Sequence, residues 1–133
     1  RMSTLSGGER QAVFIAAALA QGSSILLMDE PTTYLDYKHQ VEVLELIQRL
    51  HHEENKTLVL VTHDVNHAVM VSDHIVALGD GRVNYDGTPE ALLEGDILDT
   101  LFDTPFQRLP YDENALPLVI PSGELTILSF PAE

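Results

Sequence analysis

Apolar residues follow two rhythms along this chain. Ser24 to Met28 and Thr57 to Thr62 are short, nearly continuous apolar runs, the pattern of strands buried on both faces of a parallel sheet. Between and around them the apolar positions recur every three or four residues. Gly7 to Ala20, rich in Ala and Leu, predicts a helix ahead of the first run. Tyr37 to roughly Glu54 predicts a long helix between the runs, with Val41, Leu44, Ile47 and Leu50 at helical spacing. Asp64 to Ser72 predicts a third helix. Ile75 to Leu78 and Arg82 to Tyr85 flank Gly79-Asp80-Gly81 as a hairpin. Pro89 to Leu93 opens a further helix, with Thr88 placed to cap it. Helix and strand in alternation predict an α/β fold, a mostly parallel sheet with flanking helices.

The pattern changes after Glu94. Asp96 to Phe102 predicts one more helix, and Pro105, Pro110, Pro117, Pro121 and Pro131 then punctuate the chain. Leu116 to Ile120 and Leu125 to Phe130 predict two short strands around Ser122-Gly123. The organisation is therefore residues 1–94 as one block and residues 95–133 as an extension.

Composition narrows the classes. The chain has 133 residues, 44% of them apolar, enough for a soluble domain with a core. No apolar run approaches the roughly 18 residues a membrane span needs, and the opening Arg1-Met2-Ser3-Thr4 has no signal-peptide pattern. A first residue other than Met suggests a piece of a longer protein. With no cysteine, thiolate metal sites and disulfides are excluded. The formal charge of −14 is concentrated in the second half, −3 over residues 1–63 and −11 over 64–133. A polyanion would be repelled there, which disfavours nucleic-acid binding.

Four short motifs carry chemistry. Ser6-Gly7-Gly8-Glu9 opens the first helix, where backbone N–H groups and the helix dipole favour an anion and glycines permit its close approach. Ser-x-x-Glu is also a capping box, which taken alone is the commoner meaning. The first apolar run ends in Asp29-Glu30-Pro31, two carboxylates at the C-terminal end of a strand, where open α/β sheets bind ligands. Leu35-Asp36 precedes the long helix, and Asp36 suits its N-cap. His63 follows the second run directly, in Thr62-His63-Asp64. His63 and His67 are spaced like a helical zinc pair, but the Glu at the second position and a third ligand are lacking. His39, His51, His52 and His74 are most simply solvated surface residues. Asn55-Lys56-Thr57 fits a glycosylation sequon and is more simply a turn before a strand.

In this order and at these spacings, Leu5-Ser6-Gly7-Gly8-Glu9, Asp29-Glu30-Pro31, Leu35-Asp36 and Thr62-His63-Asp64 resemble the second half of an ATP-binding-cassette (ABC) ATPase, the motor subunit of ABC transporters. The resemblance covers about the first 90 residues well. It implies a partial P-loop NTPase (RecA-like) domain lacking the phosphate-loop half, because no G-x-x-x-x-G-K-[ST] occurs in the chain. It implies that Ser6, Gly7, Gly8 and Glu9 meet the γ-phosphate of ATP held by a partner subunit. Glu9 stands where Gln is commoner, and Ala12 and Val13 where many members carry a second Arg. Asp29 would hold Mg²⁺ through water, and Glu30 would act on the attacking water. Asp36 would lie in the D-loop at the dimer interface, and His63 would be the switch histidine. The implied cofactors are ATP and Mg²⁺. The implied partners are a second ATPase subunit, integral-membrane permease subunits and, indirectly, a substrate-binding protein, with no nucleic acid. The place would be the cytoplasmic face of a membrane.

The overall spelling looks most like importers of iron chelates, haem or cobalamin, with iron-siderophore or a related metal chelate as cargo. Without the phosphate cradle, the adenine-stacking aromatic and the glutamine loop, the 133 residues alone are expected to be inactive, and their sheet edges to invite self-association. Two alternatives stand beside this. SMC-type DNA-repair or chromosome ATPases share the Leu-Ser-Gly-Gly-Glu and Asp-Glu-Pro pieces, but need heptads before the signature that this acidic chain lacks. A natural half-cassette could also serve as a non-catalytic interaction module.

Overall fold

The structure is a computed structural model, and it describes residues 6–110 and 115–122. Its contacts divide the chain into two compact units, one running to Val71 and the other starting at Ser72.

The first unit holds α1 (Gly7–Ala20), β1 (Ile25–Asp29), α2 (Tyr37–His52), β2 (Thr57–Val61) and α3 (Val65–Val71). The two apolar runs pair in parallel, Ile25 against Thr57 through to Asp29 against Val61. A parallel pair needs a crossover, and α2 supplies it. Asp36 starts that helix by accepting the His39 N–H at 2.9 Å. Val43, Leu44, Ile47 and Leu50 form its buried stripe. Val41, expected in that stripe, is 53% exposed, and Val43 takes the core position instead, one helical turn ahead of Ile47. Ile15 of α1, Leu26 of β1 and Val43, Ile47 and Leu50 of α2 make one core, with Leu58 and Leu60 of β2 packed against it.

The strands are covered on one face only. Leu26 is buried while its neighbours Ile25 and Leu27 are exposed, and Val59 and Val61 of β2 are exposed likewise. The expectation of strands buried on both faces is therefore corrected among the described residues. Successive side chains point to opposite faces, and the helices pack on one of them.

The second unit holds β3 (Ile75–Gly79), β4 (Arg82–Gly87), α4 (Pro89–Leu93), α5 (Ile97–Phe102), β5 (Phe106–Leu109) and β6 (Leu118–Pro121). β3 and β4 form the expected antiparallel hairpin, with a register shift between Ala77 and Leu78. Asp80 and Gly81 both have positive φ, 51° and 71°, as a two-residue turn of type I′ requires. Thr88 caps α4 through the Ala91 N–H, and Pro89 occupies the first turn.

β5 was not foreseen: its four residues lie between Pro105 and Pro110, too short a stretch for periodicity to register. It pairs antiparallel with β6, Phe106 against Pro121 and Leu109 against Leu118. The expected strand Leu125 to Phe130 lies outside the described residues. Of the three ladders described, one is parallel and two are antiparallel.

Arg108 of β5 is the polar hub of this unit. Its guanidinium donates to the Leu93, Gly95 and Phe106 carbonyls at 3.3, 2.9 and 2.7 Å, and to Asp99 Oδ1 at 2.9 Å. Asp99 Oδ1 also accepts the Phe106 N–H.

Candidate functional site

Parallel pairing places the C-terminal ends of β1 and β2 side by side, so residues 33 apart in sequence meet there. The Glu30 N–H extends the ladder to the Val61 carbonyl at 2.8 Å. At that point the backbone turns sharply. Glu30 has φ +48°, a left-handed conformation that non-glycine residues adopt at a cost of about 1–3 kcal/mol. The turn continues through the Thr33 N–H to the Glu30 carbonyl and the Leu35 N–H to the Thr32 carbonyl, with Pro31 and Thr32 buried beneath it.

This geometry aims the Glu30 carboxylate at His63. Glu30 Oε1 lies 2.7 Å from His63 Nδ1, and Oε2 accepts the Thr33 hydroxyl at 2.8 Å. The His63 side chain is 79% exposed and that of Glu30 32%, so the pair sits at the surface. The hydrogen bond from His63, helped by Thr33, holds the Glu30 carboxyl below its usual range. Reciprocally, the hydrogen bond and charge of Glu30 raise the His63 imidazole above its ordinary value. Asp29, the last residue of β1, is exposed immediately before this pair.

His67 does not join His63. Its Nδ1 lies 3.2 Å from the hydroxyl of buried Thr32, and its N–H donates to Asp64 Oδ1 at 3.0 Å. Among the described residues, no group of three or more His, Asp or Glu is placed to hold a metal ion.

The Ser6–Glu9 segment forms a reciprocal capping box. The Glu9 N–H donates to Ser6 Oγ at 3.3 Å, and the Ser6 N–H donates to Glu9 Oε2 at 2.8 Å. The Ser6 N–H is the chief cause holding the Glu9 carboxyl low, with a smaller contribution from His39. A Cβ on Gly7 would lie 3.6 Å from Leu35 Cδ2 and from the Tyr34 carbonyl oxygen, so this loop rests on the segment leading to Asp36.

Asp36 Oδ1 accepts both the His39 N–H and, at 2.7 Å, the bond from His39 Nδ1. The backbone N–H first and the ring second hold the Asp36 carboxyl below its usual range. Three histidines expected at the solvated surface have partners: His39 on Asp36, His51 on the Lys56 carbonyl and His74 on Asp86. Sequence reasoning also passed over Thr33. Its signal was its position three residues past Glu30, the spacing at which a turn folds a hydroxyl back onto a carboxylate.

Residues 1–67 match the family model described as "AAA domain, putative AbiEii toxin, Type IV TA system". The iron(3+)-hydroxamate import ATP-binding protein FhuC of Bacillus subtilis (strain 168) is 50% identical over 101 residues, 76% of this chain and 38% of that protein. The ferric enterobactin transport ATP-binding protein FepC of Escherichia coli (strain K12) is 38% identical over 122 residues, 92% of this chain and 45% of that protein. The chain thus spans under half the length of these relatives.

Among solved structures, "An inward-facing conformation of a putative metal-chelate type ABC transporter" superposes with a TM-score of 0.84 at 32% identity, over 93% of this chain and 50% of that one. The "Dimeric Structure of MJ0796, a Bacterial ABC Transporter Cassette" gives a TM-score of 0.61 at 40% identity, over 67% of this chain and 38% of that one. The chain belongs to the ABC-type ATPases, as a part of their P-loop NTPase domain.

Proposed function

We propose that the full-length protein is the ATP-hydrolysing motor subunit of an ABC importer for an iron-siderophore or related metal chelate. The observation that carries the chemistry is the Glu30–His63 contact of 2.7 Å at the end of a parallel strand pair. The cargo class is supported by the relatives, whose names specify hydroxamate, enterobactin and petrobactin systems. A cobalamin import protein of Halobacterium salinarum, 42% identical over 102 residues, keeps related chelates in the same class.

Hydrolysis of a phosphoanhydride by water needs an oriented water, charge stabilisation and Mg²⁺. In this reading Glu30 accepts a proton from the attacking water. Its depressed range keeps it ionised at neutral pH, and the left-handed turn fixes its direction. His63, bonded through Nδ1, leaves Nε2 for a phosphate oxygen. Asp29 fits Mg²⁺, an ion that takes few carboxylates and keeps most of its water, better than it fits a metal requiring a full protein cage. Mg²⁺ would supply neutralisation of phosphate charge there. The Gly7 and Gly8 N–H groups would meet the γ-phosphate bound by the opposite subunit, with Asp36 at the same interface.

Residues 1–94 are in this reading the second half of the ATPase domain, and residues 95–133 an extension. The proposed assembly is a dimer of ATPase subunits docked on permease subunits at the cytoplasmic face, with a substrate-binding protein beyond. Among the described residues no helix is long and apolar enough to cross a membrane.

The test is Mg-ATP hydrolysis by the purified full-length protein, with ferric-chelate uptake by cells lacking and regaining the gene. Phosphate release that stops on Mg²⁺ removal, with uptake restored by the wild-type gene, is the expected result. The isolated 133-residue chain is expected to release none. A full-length protein with no Mg²⁺-dependent phosphate release would sink the proposal.

A further inference from the structure

The two glycines of the Ser6–Glu9 segment, in the first turn of α1, are not equivalent. A Cβ on Gly7 would meet its neighbours at 3.6 Å, ordinary van der Waals contact. A Cβ on Gly8 would lie 2.2 Å from His39 Cδ2, 2.5 Å from Cγ and 2.9 Å from Nε2. The imidazole of α2 therefore already fills the space a side chain at position 8 would need. A glycine in an anion-binding loop is usually explained by the approach of the ligand. Here the chain's own ring demands it first.

That ring is held where it lies. Asp36 Oδ1 accepts the His39 N–H at 2.9 Å and the ring Nδ1 bond at 2.7 Å, two bonds to one oxygen that fix both the backbone and the plane of the imidazole. The His39 side chain is only 30% exposed. The contacts run in a line: Asp36 holds His39, His39 lies against Gly8, and Gly7 rests on Tyr34 and Leu35 just before Asp36. The loop at the start of α1 and the loop at the start of α2 are thereby closed into one unit.

We propose that His39 is a positioning residue that locks the Ser6–Glu9 loop to Asp36, so that both are presented to a partner's nucleotide as one rigid surface. The proposal rests on the reading of these two loops as acting across a dimer of ATPase subunits. Rigid placement matters because a displacement of about 1 Å of a group that orients a reacting phosphate costs up to about a hundredfold in rate.

A compensation experiment on the full-length protein tests it, using Mg-ATP kinetics on wild type, Gly8→Ala, His39→Ala and the double variant. Gly8→Ala is expected to lower kcat about tenfold or more, because the methyl displaces the ring and the loop. The double variant is expected to recover to the level of His39→Ala alone, since removing the ring makes room for the methyl. His39→Ala itself should lower kcat severalfold and leave ADP affinity unchanged, because ADP has no γ-phosphate for the loop to meet. A double variant no more active than Gly8→Ala would mean the glycine serves the ligand and not the ring, and would overturn the proposal. So would a His39→Ala enzyme with wild-type kcat. Absence of hydrolysis by the wild type is a separate result, seen before any variant is compared: it overturns the functional reading and this inference with it.

Discussion

The unit ending at Val71 and the unit beginning at Ser72 spend their polar groups differently. In the first, carboxylates gather at exposed strand and helix ends. Glu30 leans on His63 and Thr33, Asp36 on His39, and Glu9 on Ser6, each with solvent on its other side. In the second, Arg108 is 23% exposed at its side chain, and its donors go to three carbonyls and Asp99. A guanidinium with four of its five N–H donors spent on three carbonyls and a carboxylate has little left for a ligand, whereas a surface carboxylate with one neutralisable partner does. On the proposed reading the chemistry lies in the first unit, and substitutions should separate it from the fastening by Arg108.

The sharpest break should come at Glu30. Glu30→Gln keeps the shape and a bond to Thr33 but removes the base, and in the full-length protein kcat is expected to fall by about 10²–10⁴. The melting temperature should move little, because the group is at the surface. A variant that hydrolyses ATP within about threefold of wild type would remove Glu30 from the role of general base.

Next comes the core of the first unit. Leu50 is 1% exposed and packs with Ile47, Val43, Ile15 and Leu26. Leu50→Ala is expected to cost about 2–5 kcal/mol of stability, read as a lower denaturant midpoint. Loss of α2 packing should also loosen the strand ends, so activity should fall with stability. Arg108→Ala sharpens the contrast from the other side. It removes the side-chain donor to the Leu93, Gly95 and Phe106 carbonyls and leaves Asp99 Oδ1 with the Phe106 N–H alone, at about 1–3 kcal/mol. The rate per folded molecule should stay at the wild-type value. Parallel loss of kcat in Arg108→Ala would break the contrast.

Much of the first unit was legible because its signals are strong and local: continuous apolar runs, a capping Asp before an amphipathic helix, a capping box before another. Which residues meet was less legible. That Glu30 and His63 touch depends on the β1–β2 register, a property of the pairing and not of either segment. Val41 and Val43 both satisfied a helical spacing, and only the packing chose between them. The continuous runs indicated two buried faces, yet Leu27 is 78% exposed, because periodicity reports what a strand is built to contact and not what covers it. β5 escaped because four residues between prolines carry no period, and its Arg108 announced nothing about the carbonyls it would find. His39 reads as a surface residue, since one-dimensional spacing gives no sign that a ring will land on a glycine from another helix.

The smallest expected effect is also the most direct probe of the Glu30–His63 contact. The hydrogen bond to Glu30 raises His63 from an ordinary 6.5, and the bond to His63 lowers Glu30 from an ordinary 4.5. The signs then follow from linkage. The contribution of His63 to stability is complete below its ordinary value and is lost as pH rises through its raised one. That of Glu30 is complete above its ordinary value and is lost as pH falls through its depressed one. Both members of the pair are thus charged between the depressed Glu30 value and the raised His63 value. An NMR titration of the His63 ring in nucleotide-free protein should give a midpoint above 6.5, moving back toward 6.5 in Glu30→Gln. The same pairing makes Glu30 a weak base while His63 is charged and bound to it. A phosphate oxygen that draws His63 away would leave the carboxylate more basic at the moment a water needs it. If the His63 midpoint does not respond to Glu30→Gln, the contact does not exist in solution, and that account of how the carboxylate is released falls with it.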